Sequence, residues 1–126
     1  MKTVDELVRL CKGDIIAGLK LDKETNRFVI SFKDCKAVEI FDGPPCCCEH
    51  RYMSCDDELS YFIGAEFLGI EFRGAKTGSE DTGCLTEYLF LDIQTSKGSF
   101  QLVNHNVHNG YYGGFNLDYR IFYKSV

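Results

Sequence analysis

Two stretches of the sequence gather side chains that could do chemistry. The first, residues 98–115 (GSFQLVNHNVHNGYYGGF), holds two histidines, three asparagines and two adjacent tyrosines. Amides can read the polar edges of a planar ligand, aromatic rings can stack on it, and glycines let the backbone approach it closely. The stretch therefore predicts a recognition loop. A hairpin held by its own asparagine-to-backbone hydrogen bonds is the alternative.

The predicted ligand site draws on this stretch and on two arginines from elsewhere in the chain. Its aromatic rings would stack on a planar ring, its amides would read polar edges, and an arginine would contact a phosphate. Solvated surface positions are the alternative for both arginines. The predicted set is Asn104, Asn106, His108, Asn109, Tyr111, Tyr112, Phe115, Arg120 and Arg73, of which Asn104, Asn106 and His108 share one face at a spacing of two.

The second stretch is the cysteine cluster CCCEHRYMSC at 46–55. A tetrahedral zinc site could use Cys47, Cys48, His50 and Cys55. However, the two separate pairs of closely spaced ligands that are typical of structural zinc sites are missing, and adjacent cysteines on an extended chain point in opposite directions. Burial as small apolar side chains is the alternative for Cys46 to Cys48 and for Cys55. A third alternative is a reactive Cys55, ahead of a helix and near His50.

Length and charge bound the class of protein. A chain of 126 residues predicts a single domain, residues 1–126. The net charge of −5 argues against binding a nucleic-acid polymer or an anionic membrane surface. No apolar run reaches membrane-spanning length, and the acidic first residues do not resemble a signal peptide. We expect a cytoplasmic protein whose seven cysteines stay reduced.

No catalytic set stands out in the sequence. It contains no G-x-S-x-G, no H-E-x-x-H and no phosphate-cradling P-loop. No general acid–base pair is recognisable either. We therefore expect a binding protein with no cofactor, and not an enzyme.

Hydrophobic periodicity predicts an α+β fold. A capping box at Thr3 to Glu6 and a glycine at Gly13 delimit one short helix, and a second is predicted between Asp56 and Gly64. The glycine-rich residues 74–83 are predicted to form a mobile loop. Alternating segments elsewhere predict an antiparallel sheet of about six or seven strands. These segments are residues 15–21, 28–32, 38–40, 68–72, 89–93, 100–104 and 115–121.

Three segments together resemble a small domain family that is carried largely by phages and prophages. They are Cys47-Cys48-Glu49, residues 56–71 (DDELSYFIGAEFLGIE) and residues 95–119 (TSKGSFQLVNHNVHNGYYGGFNLDY). The family shows Cys-Cys-Glu after a strand, a short acidic helix ending in Ile-Gly, and a strand pair closing on Asn-Gly-Tyr-Tyr. The matching residues are Cys47, Cys48, Glu49, Ile63, Gly64, Asn109, Gly110, Tyr111 and Tyr112. A third cysteine at 46 and glycines at 113 and 114 depart from the pattern.

This resemblance implies a function. Small β-rich phage proteins of this kind are similar to nucleotide sponges that counter bacterial immunity, and the first type of Thoeris anti-defence protein is nearest in kind. Such proteins sequester cyclic ADP-ribose isomers or cyclic oligonucleotides without cleaving them. The resemblance implies a phage-encoded homo-oligomer in the host bacterial cytoplasm, since so small a chain can hardly enclose a ligand alone.

Two other functions stay open. One is an inhibitor or adaptor of a host defence protein, anchored by Tyr111, Tyr112 and Phe122. The other is a small zinc-binding structural protein built on the cysteine cluster.

Overall fold

The structure is a computed structural model that describes residues 4–42, 50–79, 84–108, 115 and 117–123. Helix α1 is followed by eight strands, with a 3-10 helix between β4 and β5. The bounds are α1 Val4–Cys11, β1 Ile16–Asp22, β2 Arg27–Phe32, β3 Lys36–Phe41, β4 His50–Ser54, the 3-10 helix Leu59–Phe62, β5 Phe67–Ser79, β6 Cys84–Thr95, β7 Gly98–His108 and β8 Asp118–Tyr123.

The described strands form two four-stranded antiparallel sheets. The first sheet has the order β1-β2-β3-β8, and the second has the order β4-β7-β6-β5. Phe28 of β2 meets Phe100 of β7 edge to face, with ring centroids 5.9 Å apart, so the two sheets share one core. An α+β fold of mostly antiparallel strands is therefore confirmed. The prediction of a single sheet was wrong, because the alternation along each strand does not say which sheet the strand joins.

Helix α1 packs on this core through one face. Leu7 and Cys11 are buried at helical spacing, and Gly13 ends the helix with a φ of 90°. The amide of Gly13 then donates to the carbonyl of Phe67 at the start of β5. The first helix is confirmed, and it closes one edge of the core.

The second predicted helix is a single 3-10 turn. Its N-cap is Glu58 and not Asp56, and Ile63 is already in the extended region. Leu59 and Phe62 are three residues apart, and a 3-10 turn places such residues on one side, where both pack on the core. The α-helix predicted up to Gly64 was wrong, because a single 3-10 turn already places these two side chains against the core.

Two further differences concern strands. Strand β5 runs through the first part of the predicted loop, since Gly74 pairs with Leu89 and Ser79 pairs with Cys84. Residues 80–83 of that loop lie outside the described residues. Strand β4 had no counterpart in the prediction, because its inward-facing residues are Arg51 and Met53 and the alternation looks polar.

Candidate functional site

Strand β7 carries its asparagines into the interior of the protein. Phe100 and Leu102 face the core, and Asn104, Asn106 and His108 continue on the same face, all of them buried. The predicted shared face is thus confirmed. Both asparagine side chains are fully covered by protein, so in this structure neither is exposed to a ligand in solvent.

These residues belong to an interior polar cluster at one end of the core. We use that name for Asp42, Arg51, Glu87, Asn104, Asn106 and His108. Arg51 and Asp42 form an ion pair at 3.0 Å that joins the two sheets, with side chains only 4% and 3% exposed. His108 Nε2 lies 2.7 Å from the carboxylate of Glu87 on the next strand. Buried charges need such partners, so removing one member of a pair would leave the other buried and uncompensated.

Asn104 lies at the boundary between this cluster and the apolar core. Its amide nitrogen donates to the carbonyl of Leu89 at 3.4 Å, while its Oδ1 has no hydrogen-bond partner among the described residues. Asn104 contributes to the packing between strands, and its amide is turned away from the surface.

The predicted ligand set is divided among different parts of the molecule. Asn104, Asn106 and His108 are together in the interior polar cluster, while Phe115 is half-buried. Arg73 lies on the outer face of the second sheet and Arg120 on that of the first. The two arginines are therefore not brought to the asparagines. Asn109, Tyr111 and Tyr112 lie outside the described residues.

Arg120 takes part in a surface arrangement of its own. Its guanidinium lies 5.4 Å from the centroid of the Phe41 ring, and that of Arg27 lies 5.6 Å from the same ring. Arg27 also pairs with Glu39 at 3.0 Å, and Arg120 is 4.0 Å from the same carboxylate. Arg120 is therefore committed to neighbours on its own sheet.

The outer face of the second sheet carries a row of aromatic side chains across its strands. The strand register places Tyr52 of β4 opposite His105 of β7, and His105 opposite Tyr88 of β6. Phe90 follows Tyr88 on the same face, and Arg73 of β5 is its partner. Together with His50 these side chains form what we call the aromatic row: His50, Tyr52, His105, Tyr88, Phe90 and Arg73.

Neighbouring rings in the aromatic row touch one another. His105 stacks on Tyr52 with centroids 4.2 Å apart, and the edge of one of the His105 and Tyr88 rings meets the face of the other at 5.2 Å. Tyr88 and Phe90 are nearly parallel at 5.9 Å, and the guanidinium of Arg73 lies 5.0 Å from the Phe90 centroid. The row is partly open to solvent, with Tyr52 36% exposed. It is thus a surface of rings with a cation at one end.

His105 is a partly enclosed polar residue of the row. Its Nε2 lies 2.8 Å from the hydroxyl of Ser54, and its Nδ1 is covered without a hydrogen-bond partner among the described residues. Burial lowers the pKa of His105, against a smaller opposing effect of the Asp56 charge. The lowered pKa favours the neutral form of the His105 ring, which stacks on the ring of Tyr52.

A shallow pocket of about 320 Å³ lies beside the row on the same outer face. Its wall includes the carboxylates of Asp57 and Asp92, and Gln101 holds both in place. The backbone N–H of Gln101 donates to Asp57 at 2.8 Å, and its side-chain Nε2 donates to Asp92 at 3.1 Å. These carboxylates accept hydrogen bonds and could accept more from a ligand. The lining residues are Asp56, Asp57, Asp92, Ser99, Phe100, Gln101 and Val103.

The residues of the candidate zinc site are not brought together. His50 begins β4 and Cys55 follows its end, and at about 3.3 Å per residue they are roughly 16 Å apart. Cys55 packs against the core, whereas His50 is exposed and its ring lies tilted against that of Tyr52, with centroids 5.0 Å apart. Cys46 to Cys48 lie outside the described residues. Within the described ranges, no group of three or more histidine, cysteine or acidic side chains could hold a metal ion.

Sequence comparison places the chain in a family. Residues 4–117 match the profile of DUF7448, a domain of unknown function. The chain belongs to the DUF7448 family. Neither the curated proteins nor the solved structures gave a significant match to this DUF7448 chain. Within the part of the chain that the structure describes, no helix is long and apolar enough to cross a membrane.

Proposed function

We propose that this DUF7448 chain is a phage-encoded, non-enzymatic binding protein that sequesters a bacterial immune signalling nucleotide on its aromatic row. The ligand class is a cyclic ADP-ribose isomer or a cyclic oligonucleotide. One observation supports the proposal above all. Rings from neighbouring strands form a half-exposed row that ends in Arg73 and borders a pocket with hydrogen-bond acceptors. A nucleotide offers the complementary groups: planar bases, phosphates and amino groups.

The row suits a ligand with more than one ring. It crosses the sheet from β4 to β5, which at the spacing of neighbouring strands is about 14 Å. Stacking of a base on an aromatic side chain contributes about 1–3 kcal/mol per base. Tyr88 and Phe90 lie nearly parallel and half-buried in the middle of the row. We place one base over these two rings and a second toward Tyr52.

The charged side chains at the aromatic row would determine the orientation of the ligand. Arg73 is exposed and would pair with a phosphate. Asp92, a diagonal neighbour of Arg73 on the adjacent strand, and Asp57 would accept hydrogen bonds from the amino edge of a base. Holding a ligand in this way requires no proton transfer and leaves it intact.

The hairpin predicted from the sequence is also part of this proposal. Asn109, Tyr111 and Tyr112 follow β7 and remain predicted ligand contacts. The prediction for Arg120 is not retained, because Arg120 contacts Phe41 and Glu39 on the other sheet. Asn104 and Asn106 act from the interior, where they fix the position of β7.

Native mass spectrometry tests the proposal. The protein is purified from bacteria that produce immune signalling nucleotides, and its mass is measured before and after denaturation. We expect an excess mass equal to an intact nucleotide, which denaturation releases unchanged. Tyr88→Leu should lose this mass, and Phe122→Leu should keep it, since that ring lies on the outer face of the first sheet.

Two results would contradict the proposal. One is a wild-type protein that carries no nucleotide from such cells and binds none when cyclic ADP-ribose isomers and cyclic oligonucleotides are added. The other is a nucleotide recovered as a cleaved product. A stoichiometric host protein in place of a nucleotide would support the inhibitor or adaptor function.

A further inference from the structure

Strand β5 forms a long open edge of the second sheet. It is 13 residues long, and among the described strands it pairs with β6 alone. Hydrogen bonds to Gly13 and Asp14 cover its other side at Phe67. From Gly69 onward no described strand lies on that side. Helix α1 contacts β5, but no described strand pairs with this side. The backbone groups of such an edge are a ready template for another strand, so an edge of this length without a second strand partner calls for an explanation.

We propose that β5 pairs antiparallel with β5 of a second copy of this chain, about a two-fold axis at Phe72. A two-fold axis makes both copies use the same surface. Glu71 then lies opposite the partner's Arg73, and Arg73 lies opposite the partner's Glu71. The two sheets join into one sheet of eight strands. This inference does not rest on the proposed function, and the two are compatible at Arg73, because the five N–H donors of its guanidinium can serve a carboxylate and a phosphate together.

The charges on the edge support this register. Within one chain Glu71 lies opposite Asp92 of β6, and like charges directly opposite on a sheet are destabilising. Among the described residues neither Glu71 nor Arg73 takes part in an ion pair. The partner's arginine would supply the missing positive charge beside Glu71. Glu71 and Arg73 are exposed and two residues apart. In an antiparallel pair centred on the residue between them, each charge therefore meets its opposite on the partner.

The same charges disfavour other registers. If the pairing shifts along the strand to the next register that keeps the outer faces of both copies on the same side, Glu71 lies opposite the partner's Glu71. A slip in the other direction places Arg73 opposite the partner's Arg73. Both alternatives set like charges against each other, so the charges select one pairing and oppose continued edge-to-edge association.

An apolar side chain lies at the proposed axis. Phe72 is on the same face as Ile70, yet its side chain is 40% exposed whereas Ile70 is buried. In the pair the two Phe72 rings are directly opposite, at a separation where aromatic side chains make contact. Dimer formation would therefore cover an apolar ring that the single chain leaves in water.

Sedimentation equilibrium of four proteins tests the inference: wild type, Glu71→Arg, Arg73→Glu and the double variant with both changes. We expect wild type to dimerise without any ligand. Each single variant should raise the dissociation constant of the dimer roughly tenfold or more, because both pairs between positions 71 and 73 then consist of like charges. The double variant should recover most of the wild-type affinity, since it exchanges the charges and restores both pairs.

Matched controls separate this effect from net charge and from misfolding. Glu24→Arg and Lys23→Glu change the charge equally at exposed sites in the turn between β1 and β2, away from β5, and should leave dimerisation unchanged. Circular dichroism establishes that each variant is folded. A monomeric wild type, or a double variant as weak as the single variants, would overturn the inference. A monomer that still binds nucleotide would leave the proposed function standing, because the aromatic row belongs to one chain.

Discussion

The imidazole of His105 lies flat against the ring of Tyr52, with centroids 4.2 Å apart and planes 6° from parallel. The two residues are direct partners on β7 and β4. Ser54, on the same strand as Tyr52, holds Nε2 of His105 at 2.8 Å. The centre of the aromatic row is thus positioned before any ligand arrives. A ligand that stacks there would not have to bear the entropic cost of ordering these side chains.

Stability should depend on pH through His105. Burial lowers the pKa of His105 below its ordinary value of 6.5. On acidification the unfolded chain therefore takes up a proton before the folded protein does. The free energy of unfolding should be highest above pH 6.5 and should fall as the pH drops toward the folded pKa of His105. Urea unfolding at a series of pH values measures this.

The variant His105→Gln should lose that part of the pH dependence, because glutamine does not titrate. His50→Gln, at an exposed position of the same row, should retain it. If the free energy of unfolding falls by the same amount in His105→Gln and in wild type over this pH range, the enclosed position of His105 does not cause the pH dependence of stability.

Breaking the ion pair between Arg51 and Asp42 should strongly destabilise the fold. Arg51→Met leaves the carboxylate of Asp42 buried without its cation, which typically costs about 3–5 kcal/mol. Arg27→Met removes an arginine whose side chain is 42% exposed, and should cost about 1 kcal/mol or less. Denaturant unfolding compares the two. Equal losses would contradict the role assigned to the interior polar cluster.

Cys11 should resist alkylation for as long as the protein is folded. Its side chain is fully buried, and burial raises the pKa of the Cys11 thiol to about 11. Very little of it is therefore the reactive thiolate at neutral pH. Peptide mass spectrometry after iodoacetamide treatment should find Cys35, which is half-buried in a turn, labelled well before Cys11. In denaturant both should be labelled. Equal rates under native conditions would contradict this packing.

Removal of metal should leave the fold unchanged. The exposed His50 and the core-packed Cys55 lie at opposite ends of β4, so they cannot bind one ion. We expect a strong chelator to leave the melting temperature where it was, and metal analysis to find no stoichiometric zinc. A fall in the melting temperature that added zinc reverses would restore the zinc-binding alternative.

The sequence was most informative where local periodicity decides the structure. The alternation of Phe28, Ile30 and Phe32 predicts β2, and the spacing of Leu7 and Cys11 predicts α1; both are present. Period-two spacing also placed Asn104 and Asn106 correctly on one face. These relationships depend only on neighbours in the chain.

It was least informative where distant strands meet. Asn104 and Asn106 were predicted to contact a ligand because their amides could read its polar edges, but they are buried where β4 and β6 flank β7. The glycines of residues 74–79 predicted a loop, yet pairing with β6 keeps them in a strand. The aromatic row was missed because Tyr52 and Tyr88 become neighbours only through β7. No local pattern carries that information.

A calorimetric titration tests the central claim, that the aromatic row binds a nucleotide. Wild type, Tyr88→Leu and Phe122→Leu are titrated in parallel with cyclic ADP-ribose isomers and cyclic di- and trinucleotides. We expect saturable binding of at least one compound by wild type and by Phe122→Leu. Tyr88→Leu should bind it roughly tenfold more weakly or worse, since it loses a stacking ring. Absence of binding throughout the panel, or equal affinity of Tyr88→Leu and wild type, would contradict the claim.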